Sequence, residues 1–316
     1  MTTIAGSKHT AVAVSKRTWV QGRPATYSTA GEGLPVVFLH GWALADHSYR
    51  KVIERLADQG CRVIAPAMPG FGGTAGLPSR SFSISGYAEW LLEFLDVVEL
   101  TEPVVLFGHS FGGGVAIRFA HDNRNRVRSL VLVNAVGGSS WRKGDALRSI
   151  SERPLWDWGL HFPSDVWPLR QATKVLPVMA EDFVPNLLSN PRAMLRAANL
   201  ARRADLRHEL EDLRNEGLPI SILWGTRDGV VPRESFEALC VASGVEGTVV
   251  EGSHSWLLAE PDRFIEVITN DLRVAKAARE MELAAPPTRR RSPRRLRTLK
   301  PKAAVARQSV DPPADG

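Results

Sequence analysis

Residues 103–114 read Pro-Val-Val-Leu-Phe-Gly-His-Ser-Phe-Gly-Gly-Gly, and this stretch decides the fold. Pro103–Phe107 is a short apolar run of the kind that forms a strand buried on both faces. Phe111–Asp122 continues at helical spacing. Between them Ser110 stands with Gly108 and Gly112 on either side. A serine held proud on so tight a turn leaves no room for side chains beside it, and the two glycines supply that room. The helix that follows points its first amide groups at the turn, which favours negative charge there. A G-x-S-x-G sequence in this strand–turn–helix setting is the pattern of an activated serine.

Working outward, the same alternation recurs. Pro35–His40, Cys61–Pro66 and Val127–Asn134 read as strands, with helical spacing over Asp46–Asp58 and over Ser85–Val98, where Ser85 is the expected N-cap. Strands alternating with helices imply βαβ units and a parallel sheet covered on both faces. Arg17–Val20 and Ala25–Thr29 flank Gly22 and predict an antiparallel hairpin at one sheet edge. The expected class is α/β, a mostly parallel central sheet flanked by helices.

The rhythm breaks between Gly137 and Glu216, where helical patches occur without a convincing strand. Four of the nine tryptophans fall here (Trp141, Trp156, Trp158, Trp167). So do Pro154, Pro163, Pro168, Pro177, Pro185 and Pro191, which predict short helices. Strands resume at Pro219–Trp224 and Gly247–Val250, and a helix follows from Pro261. The expected organisation is a core over 1–137 and 217–272, a helical cap over 138–216 covering the site, and a basic, disordered tail over 273–316.

The formal charge of +6 is unevenly spread. The last 44 residues hold 12 Lys+Arg against 4 Asp+Glu, a net +8 that leaves −2 on the other 272. A folded body of that charge argues against nucleic-acid binding by the folded domain. The tail reads first as a solvated end, with a tether to anionic lipid or RNA and a partner-binding arm as the other readings. Cys61 and Cys240 lie far apart within apolar stretches, which argues against a disulfide framework and for a reduced compartment. With no secretory signal pattern and no apolar run of about 18 residues, the expected location is cytoplasmic.

A serine hydroxyl needs a base, and the base needs a carboxylate to fix its tautomer. His254 follows the last predicted strand, and Asp228 follows Pro219–Trp224. Both sit at C-terminal strand ends, which converge on one edge of a parallel sheet. Asp228-Gly229 is also a turn pair, a reading compatible with the first. The developing oxyanion needs two amide donors. Phe111 N–H, just past the serine, and Trp42 N–H, in the loop after Phe38–Leu39, are the candidates. Gly41 lets that loop approach closely, and His40 orients it.

These pieces resemble the α/β-hydrolase superfamily over roughly residues 10–272: His40-Gly41-Trp42, Gly108-His109-Ser110-Phe111-Gly112, Asp228 and His254, in the chain order Ser, Asp, His. Pro66–Gly72 is similar to the family's loop after its next parallel strand. Epoxide hydrolases and haloalkane dehalogenases of this fold use an aspartate nucleophile, where this chain has Ser110. Epoxide hydrolases also use cap tyrosines, whereas Tyr27, Tyr49 and Tyr87 all precede the cap. The resemblance implies hydrolysis of an ester or related acyl bond with no cofactor, and the tryptophan-rich cap suggests a small-to-medium apolar substrate. The alternatives are carbon–carbon bond hydrolysis of a diketone-type substrate, perhydrolysis, and a weakly catalytic ligand-binding member.

Other motifs are weaker. Gly70–Ala75 fits a loose dinucleotide pattern, but Pro69 and Pro78 flank it and no helix opens there. His208 and Glu209 lack a second histidine at metal spacing, so no metal is expected. His161 reads as a packed or exposed histidine of the cap. The expected partner is a small-molecule substrate, with no nucleic acid required, and the tail's contact with an anionic surface is the further reading.

Overall fold

The structure, a computed structural model, describes residues 11–143, 146–152 and 169–284. The short apolar runs form strands, and β3 (Leu34–Leu39) and β5 (Val104–His109) are buried at every position. Period-two alternation sends Val36 and Phe38 to one face of the sheet and Val37 and Leu39 to the other, so each face carries its own core. Eight strands form one sheet. β1 (Val14–Val20) and β2 (Arg23–Ala30) make an antiparallel edge hairpin, and β2 runs antiparallel to β4 (Cys61–Pro66). Then β3, β5, β6 (Val127–Val133), β9 (Ile220–Gly225) and β10 (Thr248–Val250) follow in that order, all parallel. This is the α/β architecture expected, with its antiparallel hairpin at one edge.

One face is covered by α1 (Arg50–Asp58), α8 (Trp256–Ala259) and α9 (Pro261–Ala284). The other is covered by α2 (Ile84–Val97), α3 (Phe111–Asp122), α6 (Arg207–Asn215) and α7 (Arg233–Ser243). Two expectations shift locally. Ser83, not Ser85, caps α2: its backbone is extended and its hydroxyl accepts from the Gly86 amide, three residues on. The helix expected over Asp46–Asp58 divides into a 3₁₀ turn, Asp46–Tyr49, and α1.

The segment between β6 and β9 departs further from expectation. It contains strands after all, a hairpin of β7 (Ser140–Lys143) and β8 (Ala146–Ser149). Its helices are not all short. α4 (Leu169–Ser189) runs 21 residues through Pro177 and Pro185, and α5 (Pro191–Arg203) follows. Met179, Asp182 and Asn186, at i, i+3 and i+7, are buried along one side and tie α4 to the core beyond Pro177 and across Pro185. The segment closes on itself where Gly137 bridges Asp205 and the Leu206 amide donates to the Gly137 carbonyl at 2.9 Å. α6, which lies within the span expected for the cap, packs on the sheet, where Leu210 and Leu213 are fully buried.

The core also extends past 272. Leu272 and Ala275 are buried, and Arg279–Glu102 and Arg128–Glu282 pairs fasten the end of α9, so helix replaces the expected tail as far as Ala284. The rest of the tail, with Trp156, Trp158, His161 and Trp167, lies outside the described residues. Among the described residues no helix is long and apolar enough to cross a membrane.

Candidate active site

The C-terminal ends of the parallel strands assemble the site. Ser110 follows β5 directly and is held at φ 53°, ψ −118°. This conformation costs a non-glycine residue about 1–3 kcal/mol and persists only where surroundings enforce it. Here the Ser110 amide donates to the Val133 carbonyl at 3.0 Å, and its carbonyl accepts from Gly113 and Val136 at 3.0 and 3.1 Å. The flanking glycines are required for space. A Cβ on Gly108 would lie 2.6 Å from the Gly112 carbonyl oxygen, and one on Gly112 would lie 2.5 Å from the carbonyl oxygens of Leu39 and His40. The turn is thus wedged against the end of β3. The Phe111 amide opens α3, where the first amides have no carbonyl partner within the helix.

His254 comes from the loop after β10 and Asp228 from the loop after β9. They meet at 2.8 Å, His254 Nδ1 to Asp228 Oδ2, both buried. With Nδ1–H donating to the carboxylate, Nε2 carries the lone pair and is the basic nitrogen. Asp228 is fully enclosed by donors. Oδ1 accepts from the Val230 and Val231 amides, each at 2.8 Å, and Oδ2 accepts from Asn134 as well as His254.

His109 brings the serine turn and the histidine loop together. Its ring lies 4.9 Å from the His254 ring, and its Nε2–H donates to the His254 carbonyl at 3.0 Å. On the other side Nδ1 accepts from the Tyr49 hydroxyl at 2.6 Å, which in turn accepts from the Gly41 amide at 3.0 Å. One chain of hydrogen bonds therefore runs from the loop after β3, across the residue before Ser110, to His254. Gly41 is needed here too, since a Cβ would sit 2.9 Å from His109 Nδ1. Burial, and then the neighbouring His254, hold the His109 pKa well below the usual histidine value.

His40 is also a neutral framework group. Nδ1–H donates to the Gly41 carbonyl and Nε2 accepts from the Met68 amide, both at 2.8 Å. Burial pushes its pKa down to about 4, although the Gly41 carbonyl raises it in part. It ties the loop carrying Trp42 to the loop after β4. Gly70–Ala75 is part of that second loop, closed by a hydrogen bond from the Gly70 amide to the Thr74 carbonyl. His208 and Glu209 lie on α6, where Glu209 pairs with Arg118 at 2.5 Å. Among the described residues no three His, Cys, Asp or Glu side chains group as a metal site.

Sequence reasoning missed Asn134, Tyr49 and Trp256. Asn134 takes φ 48° at the end of β6, donates to Asp228 at 2.5 Å and accepts from the Trp256 indole N–H at 2.9 Å. A signal was present in Val131-Leu132-Val133-Asn134, where a polar residue ends an apolar parallel strand at the edge where sites form. Tyr49 and Trp256 carry no such signal, because a single aromatic within a helical pattern reads as core.

Residues 36–267 match the alpha/beta hydrolase family, and the chain belongs to it. Among curated relatives it is 32% identical over 224 residues to a 2-hydroxy-6-oxo-2,4-heptadienoate hydrolase of Pseudomonas putida, covering 65% of this chain and 76% of that one. It is 28% identical over 252 residues to a candidate non-heme haloperoxidase of Mycobacterium phage D29, covering 76% and 88%. An esterase structure from Exiguobacterium antarcticum shares the fold, with a TM-score of 0.64 at 23% identity over 82% of this chain and all of that one.

Proposed function

We propose that the chain is a serine hydrolase that cleaves a carboxylic ester or related acyl bond through Ser110, His254 and Asp228. The observation that carries this reading is Ser110 held at φ 53° between β5 and α3, next in sequence to His109, whose Nε2 lies 3.0 Å from the carbonyl of a His254 bonded through Nδ1 to Asp228 at 2.8 Å. His254 Nε2 takes the Ser110 hydroxyl proton as Oγ attacks the acyl carbonyl. The Trp42 and Phe111 amides stabilise the oxyanion of the tetrahedral intermediate. Collapse expels the alcohol, which takes the proton from His254, and leaves the acyl group on Oγ. Water, deprotonated by His254, then releases the acid and restores the serine. Asp228 stabilises the imidazolium at each stage. No cofactor enters this sequence, and a small-molecule substrate is the one partner it needs.

The inserted segment acts as a lid in this reading. In support, the Trp42 indole N–H donates to the Met194 carbonyl of α5 at 2.8 Å. Its tryptophan-rich composition favours a small-to-medium apolar acyl or alcohol group. Hydrolysis of p-nitrophenyl esters from acetate to palmitate tests both points. A maximum at short or medium chains, abolished in Ser110→Ala, is expected; a flat profile contradicts the pocket, and activity retained by the variant contradicts the mechanism.

A second reading is carbon–carbon bond hydrolysis with the same three residues, favoured by the 32% identity to a 2-hydroxy-6-oxo-2,4-heptadienoate hydrolase. Turnover of a vinylogous diketone with poor ester hydrolysis would select it.

A further inference from the structure

The loop that presents Trp42 is shaped by residues far away in sequence. The Leu44 amide reaches back to the Gly41 carbonyl at 3.4 Å, a tight turn around Trp42 and Ala43. Ala43 closes it at φ 65°, fully buried. The left-handed region is disfavoured for alanine by about 1–2 kcal/mol, so the turn needs outside support. Directly after it, the 3₁₀ turn Asp46–Tyr49 begins at Ala45, which has no side chain able to cap it.

Two side chains of α4 supply what the loop lacks. Asp182 Oδ2 accepts from the Ala45 amide at 3.0 Å, the Ser48 amide at 3.0 Å and the Ser48 hydroxyl at 2.5 Å. Asn186 donates from Nδ2 to the carbonyl of Ala43 at 3.0 Å and accepts at Oδ1 from the Gly72 amide at 2.9 Å. Both are buried, at 8% and 4% exposure, on a helix whose outward side carries the exposed Leu176, Val184 and Leu188. A carboxylate and an amide buried under such a helix, with all these bonds directed to residues 43–48 and 72, do more than fasten α4 down. They hold the chain at the strained Ala43 and just after it.

We propose that Asp182 and Asn186 are positioning residues of the oxyanion loop, holding the Trp42 amide in register with Ser110 from within the inserted segment. The proposal rests on the hydrolase reading above. It gives the lid a second role, because the oxyanion donor is set only while α4 is seated. Displacing α4 releases the Ala43 turn, and a donor misplaced by about 1 Å costs on the order of a hundredfold in rate.

The test compares wild type with Asp182→Asn, Asn186→Ala and a control, Asn190→Ala. Asn190 caps α5 through the Ala193 amide and makes no bond to residues 41–48. With p-nitrophenyl butyrate, Asp182→Asn and Asn186→Ala should lower kcat about 10- to 100-fold with KM within about twofold. Affinity for a trifluoromethyl ketone, whose serine adduct carries the oxyanion, should fall in parallel. Asn190→Ala should keep kcat within about twofold. Unchanged kcat in both α4 variants, or an equal loss in the control, would overturn the proposal. Hydrogen exchange at the Ala45 and Ser48 amides separates this failure from failure of the hydrolase reading. If the wild type turns over no ester, unchanged protection in Asp182→Asn still overturns the proposal, and lost protection shows that the loop depends on Asp182 whatever reaction it serves.

Discussion

Asn134 donates its side-chain amide to Asp228 at 2.5 Å while its carbonyl oxygen accepts from the Trp256 indole at 2.9 Å. The carboxylate that faces His254 is thus braced from β6 and, through Trp256, from the helix just beyond His254 itself. Asn134→Ala removes a donor and an acceptor in a buried place and leaves Trp256 Nε1–H unpaired. We expect a stability loss of about 1–3 kcal/mol and a fall in kcat of about tenfold, read by urea denaturation and steady-state kinetics. Wild-type kcat in the variant would show that the brace has no part in orienting Asp228.

Tyr49 connects the Gly41 amide to His109 through its hydroxyl, while its ring packs 5.1 Å from that of Phe38. Tyr49→Phe keeps the ring and deletes the link. The Gly41 amide and His109 Nδ1 are then left buried without this partner, so stability should fall by about 1–3 kcal/mol. Because the same chain ends on the His254 carbonyl, kcat should fall several-fold, whereas a purely local role predicts loss of stability alone.

His40 gives a pH dependence of defined sign. Its folded pKa is lowered to about 4 from 6.5, so between those values the unfolded chain binds a proton that the folded chain does not. Its contribution is present above about pH 6.5 and is lost as pH falls toward 4, amounting to roughly 3 kcal/mol across the window. His109, also held low by burial, acts in the same direction. Denaturation at a series of pH values should show stability falling below about 6.5, less steeply in His40→Gln. Identical slopes in the two proteins would assign the pH dependence to other groups.

Much of this site was legible because its residues sit where strands end. Ser110, Asp228 and His254 each follow an apolar run, and a parallel sheet gathers such ends on one edge. The glycines at 108 and 112 were legible for the same local reason, and the structure gives the close contacts that demand them. What could not be read were long-range polar partnerships. Nothing near Asp182 or Asn186 in sequence announces residues 43–48, more than 130 positions away. Pro177 and Pro185 argued for short helices, since proline disfavours a helix interior. Burial of Met179, Asp182 and Asn186 against the core overrides that local preference. The end of the folded domain was set too early for a related reason. The charges of α9 looked like the start of a basic tail, yet Arg279 pairs with Glu102, just before β5.

The central claim is that Ser110 is the nucleophile. A fluorophosphonate probe, followed by peptide mass analysis, measures this directly, because the reagent bonds covalently only to a serine activated by its base. We expect one modification per chain, on the peptide holding Ser110, absent in Ser110→Ala and strongly slowed in His254→Ala. Labelling that persists in Ser110→Ala, or a folded wild type that takes up no label, would contradict the account.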